Sequence, residues 1–334
     1  MKNRVARWGR AMLVGLALFL PTSVSAFDTK LVTLKVGYAP GGEYDLVARI
    51  VARHLGQYLP GHPEVIVQNV PGGGSLRLAQ LMLGSEPSDG SSIGLIGSAV
   101  WVAPTLDPAV GDFDPLGLRW IGSLAAAPDS LCIVAKSLGI ETVEAFREGD
   151  FILGATGRTS TGYYFASAAR KALDAKFRIV TAFEGIAELE LALLRGEIAG
   201  HCFAAAEDLR RAELGEHVNV VLRAAGPEES PYADVPRLRD FIEDAHMRAA
   251  VMLLEGTREF NFQFIAPKGT SEETMAVLRD AMAAMAADPA YAADMAIIDG
   301  VVLRLVPGGE LETALRARLD ADPDIFALAR QLIE

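Results

Sequence analysis

The sequence predicts an α/β protein built as two lobes, each a mixed, mostly parallel sheet flanked by helices. Two observations carry this expectation. A unit of short apolar strand, turn rich in Gly, Ser or Thr, and amphipathic helix recurs along the chain, and such alternation belongs to α/β architectures with parallel sheets. It is interrupted by the polar, proline-bearing segment "DPAVGDFDPLGLRW" at 107–120, after which a new strand, Leu131 to Ala135, opens a second lobe.

The first unit sets the strand "LVTLKVGY" at 31–38 before a helix whose apolar residues Leu46, Val47, Ile50, Val51, Leu55 and Leu59 follow helical spacing. "EVIVQNV" leads through "PGGGS" into the helical "LRLAQLML", and the strand "SIGLIGS" ends at Ser98. In the second lobe "FILGATG" precedes "RTSTG" and a helix through Leu173; "FRIVTAF" then leads into "AELELALLR", and "EIAGHCFA" into "EDLRRAEL". After a long helical stretch "FNFQFIAP" at 260–267 reads as a strand, and Thr270 and Glu273 stand in capping-box spacing at the start of the next helix. This last part is expected to return to the first lobe. The lobes are thus 27–127 plus 256–334, a discontinuous unit joined by two crossovers, and 128–255.

The N-terminus has its own signature. Lys2, Arg4, Arg7 and Arg10 precede the apolar run "AMLVGLALFL", and "SVSAF" offers small residues for cleavage after Ala26, the pattern of a secretory signal peptide. The run is about half the ~20 residues of a membrane-spanning helix and Pro21 ends it. Residues 1–26 are therefore read as a cleaved signal and the mature chain as periplasmic. Removing those four basic residues from 31 leaves 27 Lys and Arg against 43 Asp and Glu. So acidic a chain, with no basic cluster, argues against a nucleic-acid partner. Any bound anion must be held by local donors. Cys132 and Cys202, each in a strand-like run, are either a disulfide or two buried thiols.

Several chemistries find no support. No G-x-S-x-G elbow, Walker A sequence or H-E-x-x-H occurs, "PGGGSLR" lacks the last glycine of a dinucleotide fingerprint, and the five histidines have no ligand-like spacing. No catalytic residue, metal ligand or cofactor is assigned. The Gly-rich turns carry more. In an open α/β sheet ligands sit beyond the carboxyl ends of the strands, where free backbone N–H groups converge. The candidate turns are "YAPGGEYD" at 38–45, "GSAVW" at 97–101 and "GATGRTSTGYY" at 154–164. Gly41 and Gly42 would let backbone approach a ligand, Ser98, Thr156, Thr159, Ser160 and Thr161 supply hydroxyls, and Tyr44 and Tyr163 could line a cleft. Asp45, just before a helical run, reads first as an N-cap. Arg158 is the one basic residue in these turns, and its guanidinium could pair with a carboxylate.

Five stretches, "VGYAPGGEYDLVARIVARHL", "VIVQNVPGGGSLRLAQ", "PSDGSSIGLIGS", "ADVP" and "FIAPKGTSEETMAVL", resemble in order and spacing the periplasmic solute-binding proteins of tripartite tricarboxylate transporters, the Bug or TctC family. The resemblance implies a two-lobed type II periplasmic binding protein fold that closes on a small ligand in the interlobe cleft by hinge motion. It further implies a carboxylate ligand, no cofactor, a monomer, and large and small membrane subunits as partners. Its first-lobe loops correspond to Tyr38, Ala39, Pro40, Gly41, Gly42, Tyr44 and Asp45, and to Gly97, Ser98 and Ala99. Its second-lobe loops correspond to Gly157, Arg158, Thr159, Ser160 and Thr161, and to Phe203 and Ala204. Arg158 is expected as the ionic anchor. Glu43, "GRTSTGYY" and "CFAAA" depart from the family's pattern, and Glu43 and Asp45 set negative charge beside the Gly41 and Gly42 amides. If Asp45 occupies the helix terminus and Glu43 faces the cleft, the ligand is held through water, or carries a positive or neutral group at that end. An exported enzyme on the same scaffold and a receptor presenting its ligand to a membrane sensor are the competing readings.

Overall fold

The computed structural model describes residues 27, 29–107, 110, 113–125, 129–211, 214–224, 226, 229–296 and 303–334; the signal-peptide expectation for 1–26 lies outside them. Strands β1 (Leu31–Val36), β2 (Glu64–Asn69), β3 (Ser92–Ile96) and β4 (Arg119–Ala125) alternate with helices α1 (Glu43–Leu55), α2 (Leu76–Gly84) and α3 (Ala103–Leu106). Next come β5 (Leu131–Ala135), α4 (Val143–Glu148), β6 (Ile152–Gly154), α5 (Thr161–Ala172), β7 (Arg178–Val180) and α6 (Ile186–Leu194). They are followed by β8 (Gly200–Ala204), α7 (Ala206–Arg211), β9 (Val218–Arg223) and α8 (Ala245–Glu255). The chain ends with β10 (Gln263–Ala266), α9 (Glu272–Ala286), α10 (Pro289–Met295), β11 (Arg304–Pro307), α11 (Gly308–Leu319) and α12 (Pro323–Ile333).

Two sheets result, ordered β11-β4-β10-β3-β1-β2 and β7-β6-β8-β5-β9. They are more evenly mixed than the alternation predicts. β1 runs parallel to β2 and β3, and β6 to β7 and β8, whereas β10 opposes β3 and β4, β11 opposes β4, and β5 opposes β8 and β9. The antiparallel pairs form where the chain changes sheets. β4 leaves the first sheet for the second and β10 returns to it, so neither is bound to the helical crossover that makes neighbours parallel.

Local patterns follow burial. β1 alternates, turning Val32, Leu34 and Val36 inward, while all five residues of β3 are buried, as a central strand covered on both faces requires. α1 buries Val47, Ile50, Val51 and Leu55. α5 is buried along Thr161–Ala169 because it lies between its sheet and helices α8 and α12, which suits its small and aromatic sequence. Ser271, one residue after the predicted cap, accepts the Thr274 N–H and starts α9. Cys132 and Cys202, on adjacent strands β5 and β8, are joined as a disulfide. Among the described residues no helix is long and apolar enough to cross a membrane.

The C-terminal helix packs against helices of the central part of the chain. α12, in the stretch predicted for the first lobe, packs on α5 and α8, and Tyr163 donates from its hydroxyl to the Ile333 carbonyl at 3.1 Å. Its Phe326, Ala329, Leu332 and Ile333 join a core that also holds Trp101 and Trp120 from the first sheet's side. One apolar cluster therefore runs through both halves of the molecule.

Candidate cleft between the two sheets

The loop after β1 turns at Gly41, whose φ of +92° is the left-handed region that glycine alone enters freely. Gly42 then caps α1 in extended conformation with no side chain to offer. Asp45 is not the cap. It sits in the first helical turn, where Oδ2 accepts the Gly41 N–H at 3.0 Å and Arg49 Nε at 2.9 Å, and Oδ1 accepts Asn69 Nδ2 at 3.0 Å and Arg49 Nη2 at 2.9 Å. Burial alone would raise its pKa, but Arg49, the Gly41 amide and Asn69 outweigh that and hold the carboxyl below its usual range. The conflict seen in the sequence is thus settled inside the loop. Asp45 consumes the Gly41 amide, and neither is left for a ligand.

Two phenols stand beside this loop. Tyr38 and Tyr44 have ring centroids 4.6 Å apart, and Tyr44 packs in turn on Phe262 at 4.8 Å. The Tyr44 hydroxyl donates to Asn261 Oδ1 at 2.6 Å. Desolvation, then the neighbouring Glu43 carboxylate, pushes its pKa up to about 12, with Arg258 among the groups that oppose the rise. The Tyr38 phenol is raised well above its ordinary value by desolvation and then by Tyr44. Both phenols therefore remain protonated donors near neutral pH.

The second sheet's loops close over these groups. Gly74 N–H donates to the Thr156 carbonyl at 3.1 Å and Ala39 N–H to the Glu184 carbonyl at 3.0 Å. Thr159 Oγ1 donates to the Gly73 carbonyl, and the Ser98 and Thr161 hydroxyls are 3.1 Å apart. Between these bridges lies a small cavity lined by Tyr38, Ala39, Gly42, Glu43 and Tyr44 from one side and by Thr156, Ser160, Gly185, Ile186 and Phe203 from the other. The lining mixes phenols, hydroxyls, one carboxylate and apolar surface, and among the described residues it holds no histidine, cysteine or basic side chain.

The predicted site residues divide accordingly. Tyr38, Ala39, Gly42, Tyr44, Ser160 and Phe203 reach the cavity. Gly157, Thr159, Ser98 and Thr161 instead form the contact between the two sides. Gly97 leaves room for the Tyr38 hydroxyl, which a β-carbon there would approach to 2.3 Å. Ala99 and Ala204 are core residues, and Pro40 and Gly41 are exposed at the turn. Arg158 does not reach the cavity. Its side chain is 55% exposed, with Nε 3.6 Å from Asp107 Oδ2 and the guanidinium 5.3 Å from the Tyr163 ring centroid. It follows Gly157 on the outer side of the interlobe contact, where solvent is the better environment for its charge.

Two lining residues, Gly185 and Ile186, escaped the sequence reading. Their signal was a glycine entering a helix after a strand, the same signal that marked Gly41 and Gly42, but without the hydroxyls that drew attention to 156–161. Ile186 is the direct partner of Gly42, where a β-carbon would stand 3.2 Å from Ile186 Cγ2.

Comparison with known proteins places this arrangement. The structure superposes on the periplasmic binding protein BugD with a TM-score of 0.70 at 18% identity, covering 92% of this chain and 98% of BugD. It superposes on MatC from Rhodopseudomonas palustris, solved with bound malate, at TM-score 0.68 and 17% identity, covering 92% and all of that chain. The chain has the two-lobed fold of the Bug and TctC binding proteins. The resemblance read from its loops is thus a resemblance of the whole architecture, a type II fold with the cleft between two mixed sheets. A second R. palustris protein with this fold, solved with adipate, gives a TM-score of 0.66 at 17% identity over 90% of this chain and 97% of its own. In sequence, the chain is 27% identical over 320 residues to the "UPF0065 protein in gbd 5'region" of Cupriavidus necator, covering 89% of this chain and 88% of that protein. No protein-family model matches the chain.

Proposed function

We propose that this protein is the periplasmic solute-binding component of a tripartite tricarboxylate-type transport system, capturing a small organic carboxylate in its interlobe cleft and presenting it to large and small membrane subunits. The observation that carries this reading is the cavity walled by strand-to-helix loops of both sheets, in a fold shared with proteins solved holding malate and adipate. Among the described residues the lining sets phenols and hydroxyls, several already bonded within the protein, against apolar surface and pairs no nucleophile with a base, which favours capture over catalysis. In this reading the first lobe comprises the first sheet and its helices, the second comprises the second sheet, and α12 rides on the second lobe.

The direct test is a thermal-shift screen of unfolded and refolded protein against mono-, di- and tricarboxylic and aromatic acids, followed by calorimetry on the hits. A ligand at a hundred times its Kd should add about 2.7 kcal/mol of stability. Silence across the acids together with tight binding of a non-acidic compound would overturn the carboxylate reading. Recovering the bound compound unchanged after long incubation would separate a carrier from an enzyme.

A further inference from the structure

We propose that Arg258, beneath Phe203 at the junction of the two lobes, is the cation that makes this cleft select an anionic ligand; the assignment rests on the carboxylate reading above. Arg258 is only 3% exposed. Its Nη1 donates to the Asp129 carbonyl at 2.9 Å, Ser130 Oγ at 3.2 Å and the Phe203 carbonyl at 3.1 Å. Its Nε and Nη2, both buried, have no hydrogen-bond partner. No described carboxylate lies in ion-pair range of it. Arg223 makes the contrast: it is equally buried, but Asp129 Oδ1 stands 3.6 Å from its Nη1.

A buried guanidinium without a counter-charge is costly unless something anionic completes it. The location fits the cleft. The guanidinium lies 4.4 Å from the centroid of the Phe203 ring, and Phe203 lines the cavity. Three residues further on, Asn261 accepts the hydroxyl of Tyr44, which lines the cavity from the other lobe. The charge is also needed, since the chain carries a net charge of −12 and the lining itself contributes Glu43, so the overall field repels an anion. One fixed cation at low dielectric, behind a single aromatic ring, reverses the sign locally. Phe203 screens Nε and Nη2 from the cavity, so its side chain must turn aside for a planar carboxylate to take these two donors together.

The probes are malate and adipate with their neutral diamides, titrated into refolded wild-type protein, Arg258→Gln and Arg258→Lys. Wild type should prefer one of the diacids over its diamide. Arg258→Gln should bind that diacid about ten- to a hundredfold more weakly, the effect of losing a charged hydrogen bond, with its diacid-to-diamide preference collapsing and partly returning in Arg258→Lys. A role confined to tying the crossovers together would weaken diacid and diamide alike, and that result would overturn the assignment. Should Arg258→Gln fail to fold, the Nε–H resonance of Arg258 in wild type, assigned by its loss in Arg258→Lys, supplies the reading: it should move on saturation with the diacid, and a stationary resonance would overturn the proposal. Diacid binding with unchanged preference in Arg258→Gln would remove Arg258 while leaving the carboxylate reading intact. A wild type that binds no acid of the wider panel would overturn both.

Discussion

Gly157 lies against Gly74 so closely that a β-carbon built on it would stand 2.3 Å from the Gly74 amide nitrogen. Gly157 also has a φ of +154°, and Gly74 has one of +66°, so each loop reaches the other with bare backbone. The hydrogen bonds beside them, Gly74 N–H to the Thr156 carbonyl and Thr159 to the Gly73 carbonyl, form only at this approach. Gly157→Ala should therefore hold the two loops apart. We expect at least about tenfold weaker ligand binding by calorimetry, more than 1.4 kcal/mol, and a ligand-saturated radius of gyration by small-angle scattering larger than that of the wild type.

Arg158→Ala tests whether the exposed cation matters to the ligand. Since Arg158 points to Asp107 and the Tyr163 ring and is absent from the cavity lining, carboxylate affinity should stay within about twofold of wild type, as for an exposed ion pair. Calorimetry against the best diacid of the screen measures this directly.

Glu255 sets a pH dependence. Burial pushes its carboxyl from 4.5 up to about 7, against the opposing pull of Arg239 and Arg237. Between those two values the native state binds more protons than the unfolded one, so stability falls as pH rises through that window. Glu255→Gln removes the titration. Urea unfolding should show the variant more stable than wild type at pH 8, by on the order of 1–3 kcal/mol, with the gap shrinking toward pH 4.5.

The Cys132–Cys202 bridge links adjacent strands across 70 residues of chain. Denatured protein should react with no thiol reagent until a reductant is added, and with two equivalents afterwards. Replacing both cysteines with alanine should cost about 2–4 kcal/mol in chemical unfolding, the usual effect of losing a disulfide.

The alternation of strand and helix was legible in the sequence because it rests on local periodicity. The first strand shows residue-by-residue alternation, α1 shows helical spacing, and Ser160 caps α5 as its position before the helix suggests. The loops at 38–44 and 156–160 were legible for the same reason, since glycines and hydroxyls at strand ends mark where backbone turns. Asp45 shows where local reading stops. It does act at a helix start, but as the third residue reaching back to Gly41, because Arg49 and Asn69 also converge on it.

The amino-acid sequence by itself determined the α/β architecture and the glycine- and hydroxyl-bearing loops at the ends of its strands, all set by residues within about a turn of one another. Tertiary structure alone decided which groups meet there. It joined the two cysteines, brought Ile186 opposite Gly42 and Gly185 opposite Ala39, laid α12 on α5 and α8, and turned Arg158 outward while burying Arg258 beneath Phe203. The reason is physical. A side chain's chemistry depends on its solvent exposure and its partners, and at the cleft those partners come from segments brought together only when both lobes pack.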